Sequence, residues 1–194
     1  MMWIKKQVIE GQHVILEPLC LAHTEALSTA VNDGEHWRLW FANVPTPDSM
    51  EQYVAEAISQ MEKGNIAYAV RHKATNQIVG TTRYYGVDRE NKRALIGYTW
   101  YANSVRRTAV NTECKYLLLK QLFEQSKAIA VEFRTHVKND ASRAAIERLG
   151  AKQDGILRNH QILKDGSIRD TAVYSIINTE WPNAKEQLLA KLCK

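Results

Sequence analysis

Three apolar runs separated by short polar gaps constrain the fold of this chain more than any other feature of its sequence. The runs are Ile66–His72, Ile78–Val87 and Ala94–Tyr101, and the gaps between them are Lys73–Gln77 and Asp88–Arg93. Gaps of this length join antiparallel strands as hairpins, whereas a parallel crossover needs roughly a dozen residues or more. The middle of the chain therefore predicts three neighbouring antiparallel strands.

The hydrophobic period then changes from that of a strand to that of a helix. The apolar stripe of the predicted helix consists of Val110, Cys114, Leu117, Leu118 and Leu122. A strand is predicted at Ala128–Val137 and a short helix at Asp140–Leu149. A strand, a helix and another strand in succession indicate a crossover, so this part of the sheet is not purely antiparallel.

The C-terminal part of the chain adds a hairpin and a helix. Two strand-like runs, Ile156–Leu163 and Ile168–Ile177, flank Asp165-Gly166, which is a strong turn signal. A last helix is predicted from about Glu180.

The N-terminal part predicts one strand and two helices. The strand is Val8–Leu16, and the first helix lies around Leu21–Val31. The second helix starts at Thr46-Pro47-Asp48, where a capping hydroxyl, a proline and an acidic residue favour a helix start, and it ends at Gly64.

The predicted order of elements is β-α-α-β-β-β-α-β-α-β-β-α. This order predicts the α/β (α+β) class, with a single mixed, largely antiparallel seven-stranded sheet and helices on both faces. No repeat, low-complexity tract or linker interrupts the order, so we expect a single domain over residues 1–194.

The composition excludes several classes of protein. No window approaches eighteen uncharged apolar residues, and the start, MMWIKKQVIEG, lacks the apolar stretch and cleavage site of a secretory signal. Cys20, Cys114 and Cys193 are odd in number and far apart, which favours reduced thiols over disulfides or a metal site. We therefore expect a cytoplasmic protein with no membrane segment and no metal.

The net charge of +5 raises the question of nucleic acid. The 26 lysines and arginines are spread along the chain, and no nucleic-acid-binding motif is present. Dispersed charge forms no continuous track for phosphates, so no nucleic acid partner is expected. A modest positive field does suit a polyanionic cofactor.

The segment from Tyr98 to Glu113 carries the chemistry. A predicted strand ends at Tyr101. After four connecting residues a helix begins within the segment Arg106-Arg107-Thr108-Ala109-Val110-Asn111-Thr112-Glu113. A helix start presents unpaired N–H groups and a positive dipole end, and arginines suit phosphate oxygens. The segment is either an anion site or an ordinary helix start with two solvated arginines.

This segment, read as R-x-x-A-x-N-T-E before a long helix, resembles motif A of the GNAT superfamily of acetyltransferases. Asn139-Asp140-Ala141-Ser142, followed by Ala145-Ile146 and Leu149-Gly150-Ala151, resembles motif B of that superfamily. Three further fragments are similar to the group that contains the ribosomal-protein N-terminal acetyltransferases: Leu16-Glu17-Pro18-Leu19, Ile78-Val79-Gly80-Thr81 and Leu157-Arg158. The resemblance extends over nearly the whole chain.

The resemblance implies a GNAT-like fold and an N-acetyltransferase that uses acetyl-CoA. It implies that the pantetheine arm pairs with the backbone of Thr99, Trp100 and Tyr101, at a bulge that separates two strands. It places the pyrophosphate over Arg106, Arg107, Thr108, Ala109, Val110, Asn111 and Thr112. Asn139 and Ser142 would face the pantetheine or adenosine end, or would serve only as helix caps.

The chain departs from the family pattern at three points. Ala109 and Asn111 stand where glycines are common, and glycine allows backbone to approach phosphate closely. Leu95 occupies the position of a glutamate that acts as, or positions, the general base, and Ile146 that of a tyrosine that protonates the leaving thiolate. These departures leave open a catalytically degenerate CoA-binding module as the alternative to an active enzyme.

Replacement groups for proton transfer are Tyr101, His136 and His160. Trp37, Trp40 and Phe41 could form an aromatic slot for the acceptor, or they could be core.

The acceptor is expected to be an amine of low pKa. At pH 7 an α-amino group costs about 1.2 kcal/mol to deprotonate, and a lysine about 4.6 kcal/mol. Direct attack in a ternary complex without a strong base therefore favours a protein N-terminus or a small-molecule amine. A homodimer in which Ala172–Ile177 pair across the interface is one reading of that apolar strand, and core burial is the other.

Overall fold

One sheet of eight strands runs through the protein, as described by a computed structural model for residues 3–39, 44–163 and 165–193. The strands are β1 (Ile9–Glu10), β2 (Val14–Pro18), β3 (Ile66–His72), β4 (Gln77–Asp88), β5 (Arg93–Tyr101), β6 (Ala130–His136), β7 (Lys152–Ile162) and β8 (Ile168–Ile177). Their order across the sheet is β1-β2-β3-β4-β5-β6-β8-β7. The only parallel pair between these strands is β5 with β6. The predicted fold class and the hairpins of the middle strands are confirmed.

Five α-helices pack on the sheet within the described residues. They are α1 (Thr24–Asn32), α2 (Met50–Glu62), α3 (Ala109–Lys120), α4 (Asp140–Glu147) and α5 (Trp181–Leu192). The hydroxyl of Tyr84 on β4 donates to the carbonyl of Leu118 on α3, whereas the next side chain, Arg83, lies under Tyr53 of α2. Because neighbouring side chains of a strand point to opposite faces, α2 and α3 cover opposite faces of the sheet.

The count of strands exceeds the predicted seven because Val8–Leu16 is not one strand. It is a short hairpin of β1 and β2, and the turn between them is bound by the carboxylate of Glu113 on α3. Glu113 accepts hydrogen bonds from the backbone N–H groups of Gln12, His13 and Val14 at 2.7, 2.6 and 2.8 Å. In a continuous strand these N–H groups could donate to a neighbouring strand. Here they donate to a distant carboxylate, and the strand is interrupted at this turn.

Strand β8 lies between β6 and β7, so both of its edges are paired inside the chain. The prediction that Ala172–Ile177 could pair across a dimer is therefore wrong in this form, and core burial explains most of the apolar character of this segment. No helix in the described part of the chain is long and apolar enough to cross a membrane.

Candidate active site

A split in the sheet forms the centre of the site. Strands β5 and β6 pair only where Arg93, Ala94 and Leu95 meet residues 130–132, and they separate beyond that point. The remainder of β5 keeps its pairing with β4 on the other side, so its free edge faces the split. Backbone groups on a free strand edge can bind an extended ligand by adding hydrogen bonds of the sheet type.

A bulge in β5 widens this split. Gly97 pairs with Arg83 and Trp100 pairs with Thr81, so Tyr98 and Thr99 together lie opposite a single residue of β4. Tyr98 has a φ of 50°, which is a left-handed conformation that costs a non-glycine residue roughly 1–2 kcal/mol. The bulge implied by the family resemblance is thus present at Tyr98–Thr99.

A buried lysine supports the bulge from below. Lys115 on α3 is 7% exposed, and its Nζ donates to Thr99 Oγ1 at 2.7 Å. Thr99 Oγ1 also lies 2.8 Å from Thr82 Oγ1 on β4. Burial lowers the pKa of Lys115 to about 8, and no side-chain carboxylate of the described residues forms an ion pair with it.

The helix start beside the split carries unpaired donors. Thr108 caps α3, since its Oγ1 accepts from the N–H of Val110 at 3.3 Å. Arg107 has a φ of 61°, and the N–H groups of Arg107 and Thr108 have no acceptor among the described residues. Free N–H groups, exposed arginines and a helix N-terminus together form a site that fits a phosphate group.

Most of the predicted cofactor residues line one continuous cleft of about 1050 Å³. These residues are Thr99, Trp100, Tyr101, Arg106, Arg107, Thr108, Asn111, Thr112, Asn139 and Ser142. Two members of the predicted set are placed differently: Val110 is 1% exposed in the core, and Ala109 does not line the cleft. Because Ala109 does not line the cleft, the absence of a glycine there does not narrow it.

At the far end of the cleft, Asn139 caps α4. Its Oδ1 accepts from the N–H of Ser142 at 3.0 Å, so this side chain has a structural role even though both residues line the cleft. The hydroxyl of Ser142 is the less constrained of the two polar groups.

Tyr101 is poorly placed to transfer a proton. Its hydroxyl is buried against the thiol of Cys114, and burial raises the pKa of this phenol well above its ordinary value. Although Tyr101 lines the cleft, its Oη is enclosed in protein. The geometry does not support the prediction of a catalytic role for Tyr101.

The two candidate histidines both line the cleft. The N–H of Lys138 donates to His136 Nδ1 at 3.0 Å, which places the proton of the neutral imidazole on Nε2. Burial and the nearby Arg169 lower the pKa of His136, so that the neutral form prevails at pH 7. His136 is therefore arranged as a donor through Nε2. His160 Nδ1 lies 3.0 Å from Thr171 Oγ1.

The predicted aromatic slot is not supported by Trp37, which packs against the core and does not line the cleft. Trp40 and Phe41 lie outside the described residues. Their neighbours His36, Leu39 and Val44 do line the cleft.

Three buried cations of the site were not predicted from the sequence: Arg83, Lys115 and Arg169. Arg83 is 7% exposed and its guanidinium lies 4.3 Å from the ring centre of Tyr53 and 4.7 Å from that of Tyr98. Only Lys115 has a local signal, because it follows Asn111 by four residues and so shares its helix face.

The split sheet, the open helix start beside it and the cleft that joins them define the class of the protein as an acyltransferase with a mixed sheet. The chain belongs to the GNAT acetyltransferase family, since the family model described as Acetyltransferase (GNAT) domain matches residues 13–152. The family resemblance of the sequence motifs is confirmed.

Relatives and solved structures agree with this assignment. The uncharacterized N-acetyltransferase YoaA of Bacillus subtilis (strain 168) is 25% identical in an alignment of 182 residues, which covers 88% of this chain and 96% of YoaA. A GCN5-related N-acetyltransferase from Brucella melitensis superposes with a TM-score of 0.86 at 28% identity. The superposition covers 96% of this chain and 85% of the Brucella chain. RimL, described as a ribosomal L7/L12 alpha-N-protein acetyltransferase, shares the fold with a TM-score of 0.78 at 20% identity, over 88% of this chain and 94% of RimL.

Proposed function

We propose that the protein moves an acetyl group from acetyl-CoA to a primary amine by direct attack in a ternary complex. The observation that carries this proposal is that the free edge of β5 and the open start of α3 line the same cleft. An extended chain ending in a pyrophosphate matches such a site, because the strand edge binds amides and the helix start binds phosphate.

The residues of the cleft fit this cofactor. The backbone of Thr99–Tyr101 would hold the pantetheine amides, and the N–H groups of Arg107 and Thr108 would hold phosphate oxygens. Acetyl-CoA would supply an activated thioester, so the protein needs only to orient the amine and take up its proton.

His160 is the better placed of the two histidines to accept that proton. When its Nδ1–H donates to Thr171 Oγ1, the lone pair on Nε2 is available as a base. His136 holds its own proton on Nε2 because Nδ1 accepts from the backbone, and it is suited to donate a hydrogen bond.

The acceptor is an amine of low pKa, either a protein N-terminus or a small molecule. Leu95 and Ile146 offer no charge or proton near the split, so the enzyme depends on an amine that is already partly neutral at pH 7. The description of RimL as an alpha-N-protein acetyltransferase supports the inclusion of peptide N-termini among the acceptors.

The test measures thiol release from acetyl-CoA with a panel of amines, and thermal shift reports cofactor binding in parallel. We expect turnover with peptides that have a free N-terminus or with small amines of pKa near 8, and much less with lysine side chains of N-terminally blocked peptides. Efficient acetylation of lysines with untouched N-termini would overturn the acceptor class. Stabilisation by CoA without turnover on any amine would instead establish the degenerate CoA-binding module.

A further inference from the structure

The wall of the cleft contains a buried arginine that no carboxylate neutralises. Arg169 on β8 is 8% exposed and lines the cleft. Its Nε donates to Thr171 Oγ1 at 3.0 Å, and its two Nη groups have no hydrogen-bond acceptor among the described residues. The side chain is thus oriented by one hydrogen bond while the end of its planar fork is left available.

No carboxylate side chain elsewhere in the chain supplies the missing partner. The ion pairs of the described residues do not include Arg169 or Arg83. The sequence outside those residues contains no aspartate or glutamate. Both guanidinium groups are therefore buried without a carboxylate side chain to pair with.

These two arginines lie on the same face of the sheet. Tyr174 on β8 donates to Glu147 of α4, and Arg169 is five residues before it, so Arg169 points to the opposite face. The pairing of β8 with β6, of β6 with β5 and of β5 with β4 places Arg83 on this same face, where it lies under Tyr53 of α2. The phosphate site at the start of α3 is a separate part of the cleft.

The two arginines belong to one patch. Arg83 stacks on the ring of Tyr98, and Tyr98 and Arg169 both line the cleft and interact electrostatically. Burial lowers the pKa of Arg169, as expected for a cation that lacks an anionic partner, although the group remains charged. A buried unpaired charge costs several kcal/mol, which a bound anion would offset.

The candidate base lies next to this arginine. Thr171 Oγ1 contacts both His160 Nδ1 and Arg169 Nε, each at 3.0 Å. One hydroxyl thus joins the group that would take the amine proton to the group that would bind an anion. A ligand that satisfies both must carry its anion within a few bonds of its amine.

We propose that the acceptor is an amine that bears a carboxylate a few bonds away, and that Arg169 binds this carboxylate. This inference rests on the proposed acetyltransferase function and narrows its substrate class. A peptide with aspartate or glutamate at its N-terminus presents this chemistry and keeps an α-amine of low pKa. Arginine suits it because its planar fork matches a carboxylate in two hydrogen bonds.

The test compares acids with their isosteric amides as acceptors. Peptides headed by aspartate or glutamate are compared with peptides headed by asparagine or glutamine. Charged hydrogen bonds contribute about 1.5–3 kcal/mol, so kcat/KM should be roughly tenfold to a hundredfold higher for the acids.

The variant Arg169→Gln should remove this preference, chiefly by raising KM for the acids, so that kcat/KM no longer differs between acids and amides. Arg158→Gln is the matched control, because Arg158 is exposed on the adjacent strand β7 and does not line the cleft. A binding readout accompanies the kinetics: N-acetylaspartate with CoA should raise the melting temperature of the wild type and of Arg158→Gln above the value with CoA alone, but not that of Arg169→Gln.

Equal use of acids and amides by the wild type overturns the inference, whatever the variant does, and leaves the acetyltransferase function intact. A preference for acids that survives in a folded Arg169→Gln protein also overturns the role of this residue. Absence of turnover with every amine is a failure of the proposed function instead, and then stabilisation by N-acetylaspartate still tests the carboxylate site.

Discussion

At the scale of single residues, the buried Lys115 supports the site but lowers the stability of the folded state. Its ammonium group is buried beneath the bulge of β5, where it donates to the hydroxyl of Thr99 and not to a carboxylate. The pKa falls from 10.5 to about 8 because burial disfavours the charged form. A shift of this size corresponds to roughly 3 kcal/mol that the folded state loses at neutral pH.

Lys115→Met should therefore stabilise the protein and weaken its function. We expect the free energy of unfolding at pH 7 to rise by about 1–3 kcal/mol, since methionine fills the same space without a charge. The bulge loses its tie to α3 at the same time, so the affinity for CoA should fall. Urea unfolding and CoA titration measure the two effects, with Lys63→Met, at an exposed position, as the control. A variant that is less stable and binds CoA normally would refute this account.

The pH dependence of this effect has a definite sign. Between pH about 8 and 10.5 the unfolded chain keeps the proton that folded Lys115 has released, so wild-type stability gains with pH relative to the variant. The advantage of Lys115→Met should be largest below pH 8 and shrink toward pH 10. An advantage that stays constant over this range would show that Lys115 has the same pKa in the folded and the unfolded chain.

At the scale of elements, the pairing of β4 with β5 holds the bulge in place, and Gly80 makes this pairing possible. A Cβ on Gly80 would lie 2.1 Å from the carbonyl oxygen of Trp100 and 2.9 Å from Cα of Tyr101. Both contacts are with backbone, so the strands would have to move apart. The free edge that faces the split is built from these residues of β5.

Gly80→Ala should therefore destabilise the fold by about 2 kcal/mol or more and reduce CoA affinity. Gly155→Ala on β7 is the matched control, because a Cβ there meets nothing within 4 Å. That control should be neutral or slightly stabilising, by about 0.4–1 kcal/mol, since alanine restricts the unfolded chain. Similar effects of the two substitutions on unfolding and on CoA titration would contradict the role assigned to Gly80.

Some of the strands could be predicted from the sequence alone and others could not. Alternation and turn signals were sufficient for β3, β4, β5 and the C-terminal hairpin, because these features depend on neighbouring residues. The break between β1 and β2 was not predicted, since the carboxylate that causes it, Glu113, is about a hundred residues away. Contacts of that range leave no periodic trace in either segment.

The same distinction holds for the site. The proposed phosphate site could be predicted because Arg106–Thr112 form one contiguous segment whose helix start can be read locally. The positions of Arg83, Arg169 and His160 could not be predicted, because these residues come from three strands and their contacts with Tyr98 and Thr171 form only in the folded sheet. The burial of the Tyr101 hydroxyl against Cys114 could not be predicted either, because Cys114 belongs to a different element.

At the scale of the whole molecule, contacts of the N-terminal segment connect the first part of the chain to α3 and the residues that follow it. The turn after β1 is bound by Glu113, the carbonyl of Lys5 accepts from Gln121 Nε2 at 2.8 Å, and Trp3 Nε1 donates to the carbonyl of Ser126 at 2.7 Å. These ties and the single eight-stranded sheet support our proposal that residues 1–194 form a single domain. We expect it to unfold as one cooperative unit.

Glu113→Gln tests this coupling. The amide can no longer accept all three N–H groups of the turn, and its own NH₂ faces those donors, so we expect a loss of about 2–4 kcal/mol in the free energy of unfolding. In urea, tryptophan fluorescence and far-UV circular dichroism should report the same midpoint, shifted together by the substitution, while Glu51→Gln at an exposed position leaves it unchanged. If the N-terminal hairpin were an independent unit, the variant would show an early transition in one signal only. A shared shift in both signals requires that the first strands and α3 unfold in the same step, because only then does a local loss at the turn lower the stability of the whole sheet.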